Sequence, residues 1–159
     1  ERVPEMLIAS SCSKNFGLYR ERTGALVLLA ETGQAATASK SQALSAARQS
    51  YSMPPSHGAL IAGMILEDAA LRAAWQAELE QMRSRIVQMR EALVEQLGDD
   101  FGFIWQEFGM FSFLGISPGQ LSRLREEYGI YMVDSTRINL AGLNVNNLAY
   151  FVGAVRAVL

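Results

Sequence analysis

Two periods of apolar residues run along this chain, and they predict its elements. Met6 to Ala9 and Gly24 to Ala30 are short, unbroken apolar runs bounded by polar loops, as buried strands require. Two strands do not make a stable sheet alone, so the pair is expected to be the edge of a larger one. Thr37 to Ser50 predicts a helix with Leu44 and small alanines turned inward. Pro54-Pro55 ends it, and Ser56 is placed to cap a further helix through Leu66. From Asp68 to Leu97 the residues Leu71, Trp75, Leu79, Met82, Ile86, Met89, Leu93 and Leu97 recur at spacings of three and four. That is one stripe on a helix of ~45 Å, with Asp68 as N-cap and Gly98 as its stop.

The remainder reads as α+β. Phe103 to Trp105, Met110 to Leu114, Ile130 to Val133 and Arg137 to Leu140 are strand-like. Ser117-Pro118-Gly119-Gln120 is a capping box opening a helix that carries Leu121, Leu124 and Tyr128 and stops at Gly129. Asn144 is expected to cap a last helix, with Leu148, Phe151 or Val152, and Val155 inward. The whole is an α/β chain. A helix as long as the central one more naturally bridges two domains than sits inside one, so the boundary is placed near Leu66, between residues 1–66 and 67–159.

Composition narrows the classes of function. Half of the 159 residues are apolar and 19% are charged, which builds a core. A net charge of −2 argues against nucleic-acid or anionic-membrane partners. No apolar run approaches the ~18 residues of a membrane span. One cysteine and one histidine leave no internal disulfide and no ordinary zinc cluster. Fourteen cations include only two lysines, Lys14 and Lys40.

A lysine kept where arginine is the habit suggests that an amine is needed as well as a charge. Lys14 lies among Ser11, Cys12, Ser13 and Asn15, directly after the first strand. A neutral amine can form a Schiff base. Neighbouring cations favour the neutral form, and Arg20 and Arg22 follow closely in sequence. A solvated loop lysine fits the same spacing. Ser11, Ser13 and Arg22 could hold a phosphate, through hydroxyl donors and a bidentate fork. There is no Walker-type glycine loop. His57 and Cys12 could be imagined as a thiol–imidazole pair, although a histidine bonded to a loop is the simpler arrangement. Arg48 and Arg137, flanking one lysine site, would suit a dicarboxylic acid.

Ser10-Ser11-Cys12-Ser13-Lys14-Asn15-Phe16-Gly17-Leu18-Tyr19-Arg20-Glu21-Arg22-Thr23-Gly24 closely resembles the cofactor-lysine motif of class I aminotransferases. These are fold-type I pyridoxal 5′-phosphate enzymes, and the likeness is to their aspartate and aromatic amino-acid branch. Three further stretches are similar to motifs of that branch in the same order. They are Arg48 through Tyr51-Ser52-Met53-Pro54-Pro55-Ser56-His57-Gly58, then Gly109-Met110-Phe111-Ser112-Phe113, then Ser135-Thr136-Arg137-Ile138-Asn139-Leu140-Ala141-Gly142-Leu143.

The resemblance implies a role at each matching position. Lys14 would hold the cofactor covalently and then shuttle the proton of the reaction. Ser11, Ser13 and Arg22 would hold its phosphate, and Tyr19 would line the same loop. Arg137 would clamp the substrate α-carboxylate, with Phe111 near the substrate. Arg48, with Ser52 near the interface, would reach into a neighbouring subunit's site and meet a side-chain carboxylate. Thr136 departs from the glycine usual there. The family's chain is more than twice as long, so this one is expected to be a carboxy-terminal portion, with Glu1 at a cut. It would comprise the end of the large-domain sheet, the bridging helix and an α+β small domain. The missing part would hold the acid that pairs with the pyridinium nitrogen and the aromatic that stacks on the ring.

The implied protein is a cytoplasmic homodimer exchanging an amino group between an amino acid and a 2-oxo acid. It would have no metal, nucleic-acid or membrane partner. A lyase or decarboxylase on the same fold, or a non-catalytic fragment or helical interaction module, are the alternatives.

Overall fold

The structure is a computed structural model and describes residues 3–159, so Glu1 lies outside the described residues. Strand β1 (Met6–Ser11) pairs antiparallel with β2 (Gly24–Leu29), with Met6 opposite Leu29 and Ser11 opposite Gly24. Helices α1 (Gly33–Tyr51), α2 (His57–Glu67) and α3 (Ala69–Leu97) follow. A 3-10 segment, Asp99–Gln106, leads to β3 (Phe111–Phe113), α4 (Pro118–Tyr128), β4 (Arg137–Asn139) and α5 (Leu148–Val158). Strands β3 and β4 pair antiparallel, Phe111 opposite Asn139 and Phe113 opposite Arg137. The chain divides into two compact units, one running to Leu79 and the other Glu80–Leu159, so the division falls inside α3.

In the first unit the two apolar runs do form strands, but not buried ones. Every residue of β1 is exposed, Leu7 by 72%, and in β2 only Leu28 is half-buried. A two-stranded ribbon has no third layer to cover either face, so its apolar side chains meet solvent. Its register is held tightly at one point. A Cβ on Gly24 would run into the Ser10 carbonyl oxygen, so no larger residue fits without moving the backbone. Helix α1 is capped by Thr32, whose hydroxyl accepts from the Ala35 N–H. None of its residues is buried: alanines such as Ala35, Ala43 and Ala47 are half-covered, whereas Leu44, expected inward, is exposed. Ser56 precedes α2 as expected but makes no side-chain cap, because its own backbone is already helical.

Asp68 does cap α3, its carboxylate accepting from the Ala70 and Leu71 N–H groups. The apolar stripe is covered unevenly, with Trp75 and Leu79 half-buried in the first unit. Leu71 and Met82 are exposed, Ile86 and Met89 half-buried, and Leu93 and Leu97 buried. Those last two join Ile104, Leu124, Leu140 and Val155 in the core of the second unit. Each fully buried side chain of this kind contributes about 1.5–3 kcal/mol.

Helix α4 has the full capping box: Ser117 Oγ accepts from the Gln120 N–H, and the Gln120 side chain accepts from the Ser117 N–H. In α5 both Phe151 and Val152 turn inward with Leu148 and Val155.

Three expectations fail here for physical reasons. Phe103 to Trp105 is not a strand but part of the 3-10 segment, because the buried pair is Phe101 and Ile104, three residues apart, while Phe103 and Trp105 face out. Ile130 to Val133 alternates in burial as a strand would, Ile130 and Met132 against the core. Among the described residues it finds no ladder partner, and it stays irregular. Asn144 does not cap α5 with its side chain. Its Oδ1 accepts from the Asn146 N–H, forming a turn ahead of the helix, and its backbone carbonyl receives the Leu148 N–H.

Candidate active site

The polar segment between β1 and β2 is closed on itself by backbone bonds. Cys12 N–H donates to the Thr23 carbonyl at 3.0 Å, and Leu18 N–H to the Cys12 carbonyl at 3.3 Å. Inside that loop Ser11 Oγ donates to Ser13 Oγ at 3.0 Å and accepts from the Ser13 N–H at 3.1 Å. Ser13 is buried, whereas Lys14 is exposed. Arg22 sits at a left-handed φ of 51° and donates from Nη1 to the Tyr19 carbonyl at 2.8 Å. That bond brings the guanidinium back over its own loop. One loop thus carries the Lys14 amine, the Ser11 and Ser13 hydroxyls, the Tyr19 phenol and the Arg22 guanidinium. These are donors for an anion together with a group that can add to a carbonyl.

The thiol–imidazole pairing of Cys12 with His57 does not form. His57 Nδ1 lies 3.1 Å from Glu21 Oε2, which ties the start of α2 to the same loop. An acid within the loop outcompetes a weakly bonding thiol. Arg48 lies in the last turn of α1, and its carbonyl accepts the Ser52 N–H at 3.0 Å. Ser52 holds a left-handed φ of 64° there. Among the described residues the Arg48 side chain has no ion pair.

The second unit places Phe111 and Arg137 together, at the two ends of the β3–β4 pairing. The Arg137 guanidinium carbon stands 4.6 Å from the Phe111 ring centroid. This cation–π contact orients an otherwise exposed arginine. Both line an open cleft of about 370 Å³, with Ile130, Met132, Leu143 and Phe151 as its apolar wall. That volume falls in the range of small-molecule sites.

Thr136, next to Arg137, is buried at a left-handed φ of 60°. That conformation is costly for a β-branched residue. Three bonds hold it: its N–H to the Val133 carbonyl (2.8 Å), its carbonyl from the Leu114 N–H (3.1 Å), and its Oγ1 from the Gly115 N–H (3.1 Å). Thr136→Val keeps the shape and removes the last acceptor. It is expected to lower the unfolding free energy by about 1–3 kcal/mol in a urea titration. The ring-current shift that Phe111 imposes on Arg137 should shrink in parallel.

Sequence reasoning missed the residues that hold these groups. Trp75 Nε1 donates to the Asn15 carbonyl at 2.7 Å, and its ring stacks on Phe16 at 4.6 Å and 9°. Buried Arg90 donates to the Ile104 and Gly109 carbonyls, each at 2.7 Å. In sequence Trp75 is one member of the α3 apolar stripe and Arg90 one arginine of the same helix, and nothing local distinguishes them.

The family model described as "Aminotransferase class I and II" matches residues 1–155. The chain belongs to that family. It is 50% identical over 161 residues to an aromatic-amino-acid aminotransferase of Paracoccus denitrificans, covering 97% of this chain and 40% of the relative. To an aspartate aminotransferase of Salmonella typhi it is 48% identical over 160 residues, covering 98% and 40%. A solved structure of the aromatic-amino-acid aminotransferase from Burkholderia pseudomallei, covalently bound to pyridoxal phosphate, superposes with a TM-score of 0.90 at 44% identity, covering 98% of this chain and 40% of that one. This class I and II chain therefore spans about two fifths of the length of the relatives it matches. Its mixed helix-and-sheet fold is that of fold-type I aminotransferases. No helix among the described residues is long and apolar enough to cross a membrane.

Proposed function

We propose that this chain is the carboxy-terminal part of a pyridoxal 5′-phosphate-dependent aminotransferase. The enzyme would exchange an amino group between an aromatic or dicarboxylic amino acid and a 2-oxo acid such as 2-oxoglutarate or oxaloacetate. Residues 1–66 belong on this reading to the cofactor domain, and 67–159 to the bridging helix and small domain. The observation that carries it is the closed loop from Ser11 to Thr23, which carries Lys14 together with the Ser11 and Ser13 hydroxyls and the Arg22 guanidinium in a chain of this family. A solved relative holds pyridoxal phosphate covalently, and the donor set here fits such a group. Hydroxyls and a guanidinium suit a phosphate dianion, and a lysine amine suits an aldehyde.

Bound there, the cofactor would supply the electron sink that makes the substrate Cα–H acidic. The Ser11 and Ser13 hydroxyls and the Arg22 fork would hold the phosphate, with Tyr19 against the same group. Lys14 Nζ would take the cofactor covalently and, once released, would move the proton from the substrate Cα. Arg137 would pair bidentately with the α-carboxylate, with Phe111 beneath its guanidinium. That fixes the Cα–H bond in a reactive direction. Arg48 and Ser52, exposed at the end of α1, would serve the site of a second subunit in a cytoplasmic homodimer.

Borohydride reduction in the presence of pyridoxal 5′-phosphate is the test. The label belongs on Lys14, and label on Lys40 alone or on neither lysine sinks the reading. Turnover is a separate matter. The exposed apolar faces of β1 and β2 support the view that this is part of a larger sheet. The 159 residues alone, given aspartate and 2-oxoglutarate in a coupled assay, are expected to show little or no activity. Robust turnover would overturn that.

A further inference from the structure

Lys14 opens a tight turn. The Gly17 N–H donates to the Lys14 carbonyl at 3.3 Å, so Lys14 to Gly17 is a four-residue turn with Asn15 and Phe16 at its centre. Gly17 leaves it at a left-handed φ of 67°, which glycine adopts without strain. Both central residues are gripped by one side chain sixty positions away. Trp75 Nε1 bonds the Asn15 carbonyl, and the Trp75 ring lies flat on Phe16. Inside the turn, Asn15 Oδ1 is buried with no hydrogen-bond partner among the described residues. An acceptor left unmet is tolerated only where other contacts hold the backbone around it. Trp75 sits two turns into a capped helix, so the grip comes from a rigid element and not from another loop.

We infer that Trp75 is a positioning residue for Lys14: by clasping Asn15 and Phe16 it sets the turn from which the amine is presented. The inference deepens the proposed role of Lys14 and rests on it. The physical reason is that a loop lysine has many accessible directions, and fixing the two peptides after it removes most of the backbone's share of that freedom.

Two variants separate the bond from the stack. Trp75→Phe keeps an aromatic face for Phe16 and loses the N–H donor, and Trp75→Leu loses both. Amide hydrogen exchange at Gly17 reads the turn directly. Labelling reads its consequence: the Lys14 amine adds to the aldehyde carbon of pyridoxal 5′-phosphate, water leaves, and hydride from borohydride fixes the new C–N bond. Lys40, on the exposed face of α1, is the internal standard. In Trp75→Phe, exchange at Gly17 should rise about fivefold, the factor carried by one hydrogen bond of ordinary net strength. The ratio of label on Lys14 to label on Lys40 should fall by a similar factor, and both changes should be larger in Trp75→Leu. Unchanged exchange in the folded Trp75→Phe protein overturns the inference, and so does faster exchange with an unchanged labelling ratio. A wild-type chain labelled only on Lys40 defeats the proposed function instead, and the exchange rates still decide whether Trp75 holds the turn.

Discussion

Lys14→Ala is expected to abolish pyridoxyl labelling at the Ser11–Thr23 loop, leaving only the background on Lys40 that any surface amine gives. The effect should be all-or-none, because no other amine lies in that loop. Peptide mass spectrometry after borohydride reduction reads it directly. Arg22→Leu should act differently. The amine remains, but the phosphate loses a charge-assisted fork worth about 1.5–3 kcal/mol. Half-saturation of the Lys14 label should therefore move to roughly ten- to a hundredfold higher cofactor concentration. Added salt should weaken the wild type more than the variant, since screening acts on a charge the variant has already lost. If Arg22→Leu left that concentration unchanged, the guanidinium would be no more than a brace for the Tyr19 carbonyl.

Arg90→Ala is expected to give the largest loss of stability. Arg90 is 4% exposed, an extreme value for an arginine, and its two terminal nitrogens donate to the Ile104 and Gly109 carbonyls. Burial pulls its pKa below the ordinary arginine value, and Glu107, 3.8 Å away, pulls it back up. Removing the side chain leaves two carbonyls short of a donor and a cavity where the stem packed. Each unmet acceptor costs about 1–3 kcal/mol, so a loss of about 2–6 kcal/mol is expected from the two hydrogen bonds alone. A unit of about eighty residues holds roughly 4–12 kcal/mol in all. The urea midpoint of Glu80–Leu159 should therefore fall steeply, and Arg90→Lys, which keeps the charge but not the fork, should recover only part of it.

The consequence reaches the site. Glu107 also accepts from the Ser112 hydroxyl, beside Phe111 on β3. Loosening Arg90 frees the segment that carries the ring beneath Arg137. A midpoint within the error of wild type would show that the buried guanidinium is replaceable by solvent.

Much of this molecule is legible in one dimension because its signals are local. The α4 capping box needs only Ser117 and Gln120 three residues apart, and the α3 stripe needs only its spacing of three and four. The Asp68 cap is equally local. The family was legible for a related reason. Its four motifs lie in order, and the chemistry they imply belongs to residue types at short range, such as Lys14 with Ser11 and Ser13.

What failed was decided at a distance. Apolar runs predict strands, yet whether β1 and β2 are covered depends on what lies against them, and within this chain both faces are open. Ile130 to Val133 has the alternation of a strand and lacks a neighbour to pair with among the described residues. His57 met Glu21 and not Cys12, because the loop's backbone bonds brought the carboxylate there.

By itself, then, the sequence determined the helices, the caps of α3 and α4, the two hairpin strands and the family, all set by neighbours within a few residues or by motif order. Only the tertiary structure decided which side chains hold the chemistry in place. Trp75 on Asn15 and Phe16, Arg90 on Ile104 and Gly109, and Arg137 on Phe111 are contacts between segments remote in the chain. A hydrogen bond or a stacked ring depends on distance and direction in space, and spacing along the chain does not carry either.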